Sequence, residues 1–287
     1  MRTTEPAGVL VMAHGGSPEW NEAVRRAVSP LAADVPTVIA FGMADPATMA
    51  AALDSLRRLG VTRVATVRLF LSGRSFLDET RYLLGLSTIV PAVPGHGGHD
   101  GAAPAPLVPL ASGLVVTTHE EGVITSPEAR GIMVERARAL RDPARRESLL
   151  LVAHGMGDDA QDADVVQSLR AVAAELAPLG FEAVQVATLR EDWPSKRQGA
   201  EQVIRDFVGR ESAAGRRVIV LPMRLWGFGP YAQVLSGLEY TAGDGLLPHA
   251  EVSAWIRRTA ARLLCDGTRP PAAPPCSGAG AAASSLR

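Results

Sequence analysis

The chain repeats itself. Val9-Leu10-Val11-Met12-Ala13-His14-Gly15 returns as Leu149-Leu150-Leu151-Val152-Ala153-His154-Gly155. Each copy is a short β-rich apolar run, buried on both faces if it is a parallel strand, and each ends in Ala-His-Gly. Self-similarity of this kind limits the fold more than any other feature, because one half must fold much as the other does. After the first copy, Ser17-Pro18-Glu19 reads as an N-cap, a proline at N1 and an acid in the first helical turn. After the second, Asp158 and Asp159 open a helix in which Val165, Val166, Leu169, Val172 and Leu176 recur at helical spacing.

The later segments also correspond. Thr37–Phe41 reads as a strand, then Asp45-Pro46 caps a helix through Leu53, Leu56 and Leu59. Its counterpart is a strand over Ala183–Leu189 and a helix from about Ser195 to Arg210. Arg63–Leu71 matches Arg217–Leu225 as a third strand, each followed by a glycine, Gly73 or Gly227. His119 precedes a helix over Ile132–Leu140, and His249 precedes one over Val252–Leu264. Alternating strands and helices predict an α/β protein of two tandem domains, each a parallel sheet with helices on both faces. The expected domains are 1–142 and 147–265, with a Pro/Gly-rich loop at 90–113 and a disordered tail at 266–287.

Composition excludes several classes. With 47% hydrophobic and 21% charged residues, the 287-residue chain is neither disordered nor fibrous. A net charge of -1 supplies no field to draw nucleic acid or an anionic membrane. Eighteen apolar residues never run uninterrupted, so no segment is expected to span a bilayer. Cys265 and Cys276 suggest no disulfide framework, and a reducing, cytoplasmic setting is the default expectation. No GxxxxGK[ST] loop is present, so no nucleotide is expected.

His14 is the most informative residue. It stands at the carboxyl end of the first strand, before Gly15-Gly16 and a helix start, where open α/β sheets bind ligands. Imidazole there either binds a divalent metal, accepts a proton, or is hydrogen-bonded within a strand-to-helix turn. His154 holds the matching place in the second half. The Ala-His-Gly strand end, the Asp-Pro before the second helix and Leu69-Phe70-Leu71-Ser72-Gly73 after the third strand, all duplicated, resemble the class II tetrapyrrole chelatase superfamily. Within it the chain looks most like the sirohydrochlorin chelatase (CbiX/SirB-like) branch, over residues 8–86 and 148–264.

The resemblance implies an enzyme that inserts Fe²⁺, Co²⁺ or Ni²⁺, as substrate, into a sirohydrochlorin-type tetrapyrrole while two pyrrole N–H protons leave. It implies that His14 is metal ligand and base, and by repeat that His154 is a metal ligand. The family's second metal-site histidine, after the third strand, is missing: Arg74, Ser75 and Phe76 stand there. Arg74 cannot bind a cation but suits a tetrapyrrole carboxylate, with Ser75 beside it, or is simply a solvated arginine. Glu79 is the candidate replacement ligand, since a His and a carboxylate together suit Fe²⁺ or Co²⁺, and the His96-Gly97-Gly98-His99 loop is another donor. His119 and His249 read as turn residues, and Asp192-Trp193-Pro194 as a helix entry. Trp226, Phe228 and Tyr231 offer either a stacking surface or a buried contact. Two other functions stay open, a non-catalytic metal or tetrapyrrole carrier and a repurposed enzyme on another small anion. The expected partners are the tetrapyrrole and the metal ion, with monomer and homodimer both allowed.

Overall fold

A computed structural model describes residues 6–91 and 107–266. The first sheet comprises β1 (Ala7–Ala13), β2 (Thr37–Phe41), β3 (Arg63–Leu69) and β4 (Val115–Thr118), in the order β2-β1-β3-β4. The second comprises β5 (Glu147–Ala153), β6 (Ala183–Thr188), β7 (Arg217–Met223) and β8 (Thr241–Ala242), in the order β6-β5-β7-β8. Every pairing is parallel; Val11 sits across from Ile39 on one side and Val67 on the other. The duplicated α/β architecture read from the repeat is therefore present. The short edge strands β4 and β8 are elements that the apolar periodicity did not reveal.

The helices of the first half are α1 (Pro18–Ala32), α2 (Pro46–Arg58) and α3 (Leu77–Leu83), followed by α4 (Pro127–Leu140). The second half carries α5 (Asp159–Leu176), α6 (Pro194–Ala213), α7 (Tyr231–Val234) and α8 (Ala250–Asp266). Their starts obey the capping chemistry. Ser17 Oγ accepts from Trp20 N, Asp45 Oδ1 from Thr48 N at 2.8 Å, and Asp158 Oδ1 from Gln161 N at 2.9 Å. Pro18 and Pro46 occupy the first helical turn, where a missing N–H is harmless.

Alternation along a strand sends side chains to opposite faces. Leu10 and Met12 share one core with Met49, Ala52, Leu53 and Leu56 of α2 and Leu83 of α3. Val9 and Val11, from the opposite face of β1, are equally buried. In the second sheet Leu150 and Val152 meet Ile204, Phe207 and Val208 of α6 and Tyr231 and Val234 of α7. Among the described residues no helix is long and apolar enough to cross a membrane.

The division into compact units differs from the boundary at 142–147. Among the described residues, unit 1 takes in 6–70, 76–91, 107–120 and 253–266, and unit 2 takes in 71–75 and 121–252. Each sheet thus takes a helix from the other half of the chain. Helix α4 packs on α5 and β7, while α8 closes the first sheet. In unit 1, Arg63 Nη2 donates to the Leu264 carbonyl at 3.0 Å, and fully buried Trp255 meets His119 edge-on at 5.6 Å. An amphipathic pattern states that a helix needs cover but not which sheet it covers, which is why the sequence boundary fell elsewhere. Residues 107–113 lack regular structure, in keeping with the loop expectation; residues 92–106 and 267–287, with His96 and His99, lie outside the described residues.

This exchange makes a local stability prediction. Trp255→Ala should destabilise by about 3–5 kcal/mol, the usual range for a truncated core aromatic. Hydrogen exchange should accelerate in β1 and β3 and stay slow in β5 and β7; equal loss of protection in both sheets would contradict the assignment of α8 to unit 1.

Candidate functional site

Each unit has one histidine at the carboxyl end of its inner strand, where the chain leaves β1 for one neighbouring strand and the other neighbour arrives later, the topological switch point. The following glycine is left-handed in both, Gly15 at φ 75° and Gly155 at φ 85°. A side chain at Gly15 would press on Phe41, and one at Gly155 on Asp162 and Thr188, so both turns need glycine twice over.

In unit 1, His14 is exposed. Its Nδ1 lies 2.8 Å from the Gly15 carbonyl, and a carbonyl only accepts, so Nδ1 carries the proton. Nε2 then keeps its lone pair, and no hydrogen bond to a described residue consumes it. The turn is tied to α1 by Asn21, whose Oδ1 accepts from Gly16 N at 2.9 Å and whose Nδ2 donates to the Gly16 carbonyl at 3.3 Å. The indole of Trp20 lies parallel to the imidazole, 5.2 Å between centroids and 9° between planes. This is the arrangement a metal-binding or proton-accepting imidazole needs: one nitrogen anchored, the other available.

Unit 2 begins from the same turn and ends differently. His154 Nδ1 lies 2.9 Å from the Gly155 carbonyl, and Met156 N donates to Asp162 Oδ1 at 2.8 Å, as Gly16 does to Asn21. The connections after β5 and β6 are each one residue longer than those after β1 and β2, judged from the strand ends to the helix starts. The longer second connection carries Glu191 and Asp192. Asp192 Oδ2 lies 3.0 Å from His154 Nε2, and Glu191 Oε2 lies at 3.9 Å. Two acceptors require two ring protons, so His154 in this arrangement is an imidazolium. Burial, the largest single influence, opposes that charge, but the Asp192 hydrogen bond, the Glu191 charge and the Gly155 carbonyl together raise its pKa.

Around His154 the acids are themselves held. Glu191 pairs with Arg224 and accepts from the buried Tyr231 hydroxyl at 3.4 Å. Arg190, left-handed at φ 56°, bonds Asp162 at 3.1 Å and Asp159 at 2.7 Å, and Asp159 also pairs with Lys196. These cations, led by Lys196, hold the exposed Asp159 carboxyl down to about 2. Trp193 meets the His154 ring edge-on at 5.8 Å. The segment 192–194, read from sequence as a mere helix entry, therefore supplies the groups that occupy the second histidine. The Asp-Trp-Pro string carries no signal for this, because the contacts join segments more than thirty residues apart in the chain.

The other expected site residues fall as follows. Glu79 is half-buried in the first turn of α3, and the next residue, Thr80, reaches Met12 Sδ at 3.8 Å, so α3 starts beside the end of β1. No hydrogen bond or ion pair joins Glu79 to His14 among the described contacts. Arg74 is exposed and Ser75 half-buried, on the loop 71–75 that groups with unit 2. That loop is clasped by the backbone at Gly122, where any side chain would overlap Gly73, and by the bond from Ile124 N to the Leu71 carbonyl at 3.1 Å. Among the described residues no group of three or more His, Cys, Asp or Glu is gathered to hold a metal. His14 and Glu79 belong to unit 1 and His154 to unit 2, where it pairs with Asp192.

Both remaining described histidines are structural, as expected. Buried His119 accepts from Arg68 N at 2.9 Å through Nε2, and its carbonyl accepts from Arg68 Nη1 at 3.0 Å. His249 Nδ1 accepts from Glu251 N at 3.1 Å at the start of α8, with Nε2 3.2 Å from Glu135. The aromatic group after β7 is a buried contact: Tyr231 is fully covered, and Phe228 stacks on Tyr240 at 5.7 Å against the unit 2 core.

No protein-family model matches the chain, and no curated protein matches it in sequence. Solved structures do match. The chain is similar to SirB from Bacillus subtilis with Fe³⁺, with a TM-score of 0.63 and 14% identity over 89% of this chain and 96% of that one. It is similar to the sirohydrochlorin chelatase SirB from Bacillus subtilis subspecies spizizenii in complex with cobalt, with a TM-score of 0.59 and 12% identity over 89% and 96%. DR2241 from Deinococcus radiodurans, a multi-domain protein with structural similarity to chelatases, matches at a TM-score of 0.53 and 17% identity; the chain covers 54% of its length. At these identities the likeness is one of fold, the fold that this chain shares with the two SirB structures.

The pairing of His154 with Asp192 should show in the titration of that histidine. By NMR, the His154 ring should have its midpoint above the free-histidine value of about 6.5, and Asp192→Asn should lower it. Because the folded pKa is raised, the stability from this pair is fully present below about pH 6.5 and fades as pH rises through the folded midpoint. An unchanged midpoint in Asp192→Asn would show that the pair does not form in solution.

Proposed function

We propose that this protein is a metal chelatase that inserts a divalent cation, Fe²⁺, Co²⁺ or Ni²⁺, into a sirohydrochlorin-type tetrapyrrole. The observation that carries the reading is the exposed His14 at the switch point, with Nδ1 tied to the Gly15 carbonyl and Nε2 in no hydrogen bond to a described residue. Insertion has two requirements, a donor that delivers a borderline cation and a base that takes up pyrrole protons. A neutral imidazole meets both in turn: its Nε2 lone pair holds the metal and, once the metal has passed to the ring, accepts one of the two pyrrole protons, the other leaving to water. The likeness in fold to SirB proteins solved with Fe³⁺ or cobalt supports the same class of substrate.

Glu79 is the proposed second donor, a carboxylate that offsets the cation's charge while His14 holds it. A metal in transit is better served by one or two ligands than by a closed cage, because a full coordination shell would retain it. Arg74 and Ser75 are proposed to bind a ring carboxylate, the guanidinium by its planar fork and the hydroxyl by a single hydrogen bond. His154, taken up by Asp192, is given no metal role.

A second reading is a non-catalytic carrier of metal or tetrapyrrole. It is favoured by the missing second histidine after the third strand of each half, where Arg74-Ser75-Phe76 and Trp226-Gly227-Phe228 stand. Turnover separates the two. Mixed with sirohydrochlorin and Co²⁺, the enzyme should drive many equivalents of absorbance change, whereas a carrier stops at one. His14→Ala should lower the insertion rate by at least about 100-fold, the lower end for a lost acid–base group. A wild-type protein that gives no change with any of the three metals would refute the enzyme.

A further inference from the structure

We infer that Trp20 is the positioning residue of His14, the side chain that sets the plane of the imidazole and the direction of its Nε2. The inference rests on the reading of His14 as the metal-binding group and adds a residue that neither the repeat nor the fold likeness singles out.

The geometry is local and closed. Ser17 caps α1 by accepting from Trp20 N at 3.3 Å, which places the Trp20 backbone on the first helical turn. Asn21, one residue on, holds both the N–H and the carbonyl of Gly16. Between these two ties the indole lies across Gly16 and parallel to the His14 ring. Gly16 is the residue that permits it, because a Cβ there would overlap the six-membered ring of Trp20. The indole N–H is buried and has no hydrogen-bond partner, so packing and not a polar tether decides where the ring sits.

The stack supplies what the Nδ1 bond cannot. A single hydrogen bond to the Gly15 carbonyl fixes which nitrogen bears the proton but leaves the ring free to rock about that contact. A parallel indole at 5.2 Å removes this freedom, since tilting the imidazole would open one edge and crush the other. Unit 2 shows the alternative. There the tryptophan arrives from the β6–α6 connection, meets His154 edge-on, and Asp192 holds Nε2 instead. One copy orients its histidine by a charged hydrogen bond that consumes Nε2; the other does so by a ring face that leaves Nε2 available.

The test uses Co²⁺ alone as probe, read by its visible absorption bands and by tryptophan fluorescence, in the full-length protein. Bound at Nε2, paramagnetic Co²⁺ lies close to the indole and should quench a fluorescence component that is absent from Trp20→Phe. Trp20→Ala should weaken Co²⁺ binding by about tenfold or more, the usual loss when an orienting neighbour of a metal ligand is removed. Trp20→Phe, which keeps a ring face, should bind near the wild-type value. Gly16→Ala, which keeps both aromatic residues but puts a methyl group where the indole lies, should reproduce the Trp20→Ala loss by displacing it. If Trp20→Ala and Gly16→Ala bind Co²⁺ as tightly as the wild type while His14→Ala does not bind it, the positioning role is wrong and the reading of His14 stands. If His14→Ala binds Co²⁺ like the wild type, or the wild type does not bind it, the reading of His14 itself falls.

Discussion

The left-handed glycine after each inner strand is the constraint from which the sites follow. A parallel strand must turn sharply at its carboxyl end to feed a helix that packs back on the sheet. Gly15 and Gly155 make that turn with φ values that side chains resist, in places where a Cβ would strike a neighbour. The turn aims the glycine carbonyl back at the preceding histidine, which donates Nδ1–H to it in both units. One backbone conformation thereby chooses the tautomer and leaves Nε2 as the group on which the environment acts.

That environment is where the two copies part. In unit 1 the connection after β2 is Gly42-Met43-Ala44, with no acid before Asp45, and Asp45 is occupied as the cap of α2. In unit 2 the longer connection holds Glu191 and Asp192, and the acids close on His154 under the restraint of Arg224 and Tyr231. An added residue and two carboxylates are enough to turn an available imidazole into half of an ion pair. Both units keep the same turn; loop length and charge decide its chemistry.

Much of this was legible in the chain. Ala-His-Gly twice, Ser17-Pro18 and Asp45-Pro46 announce strand ends and helix starts, because propensity and capping act within a few residues. The roles of His119 and His249 as turn residues were also readable from their places before helices. What escaped was long-range. Asp192 and Trp193 look like any helix entry until β5 and β6 pair and bring them to His154. Trp20 looks like a surface aromatic in a first helical turn until Gly16 is seen to leave room beneath the imidazole. The edge strands β4 and β8 are too short to carry a period, and they exist through pairing with β3 and β7.

The amino-acid sequence by itself determined the repeat, the α/β alternation, the placement of a histidine at the end of each inner strand and the helix caps. These depend on local backbone preference and on the spacing of apolar residues, which the chain carries in its own order. Tertiary structure alone decided that α8 covers the first sheet and α4 the second, that one histidine is paired and the other available, and which aromatic lies against each. Those outcomes depend on which distant side chains share a space, and pairwise burial and charge are resolved only when the sheets have formed.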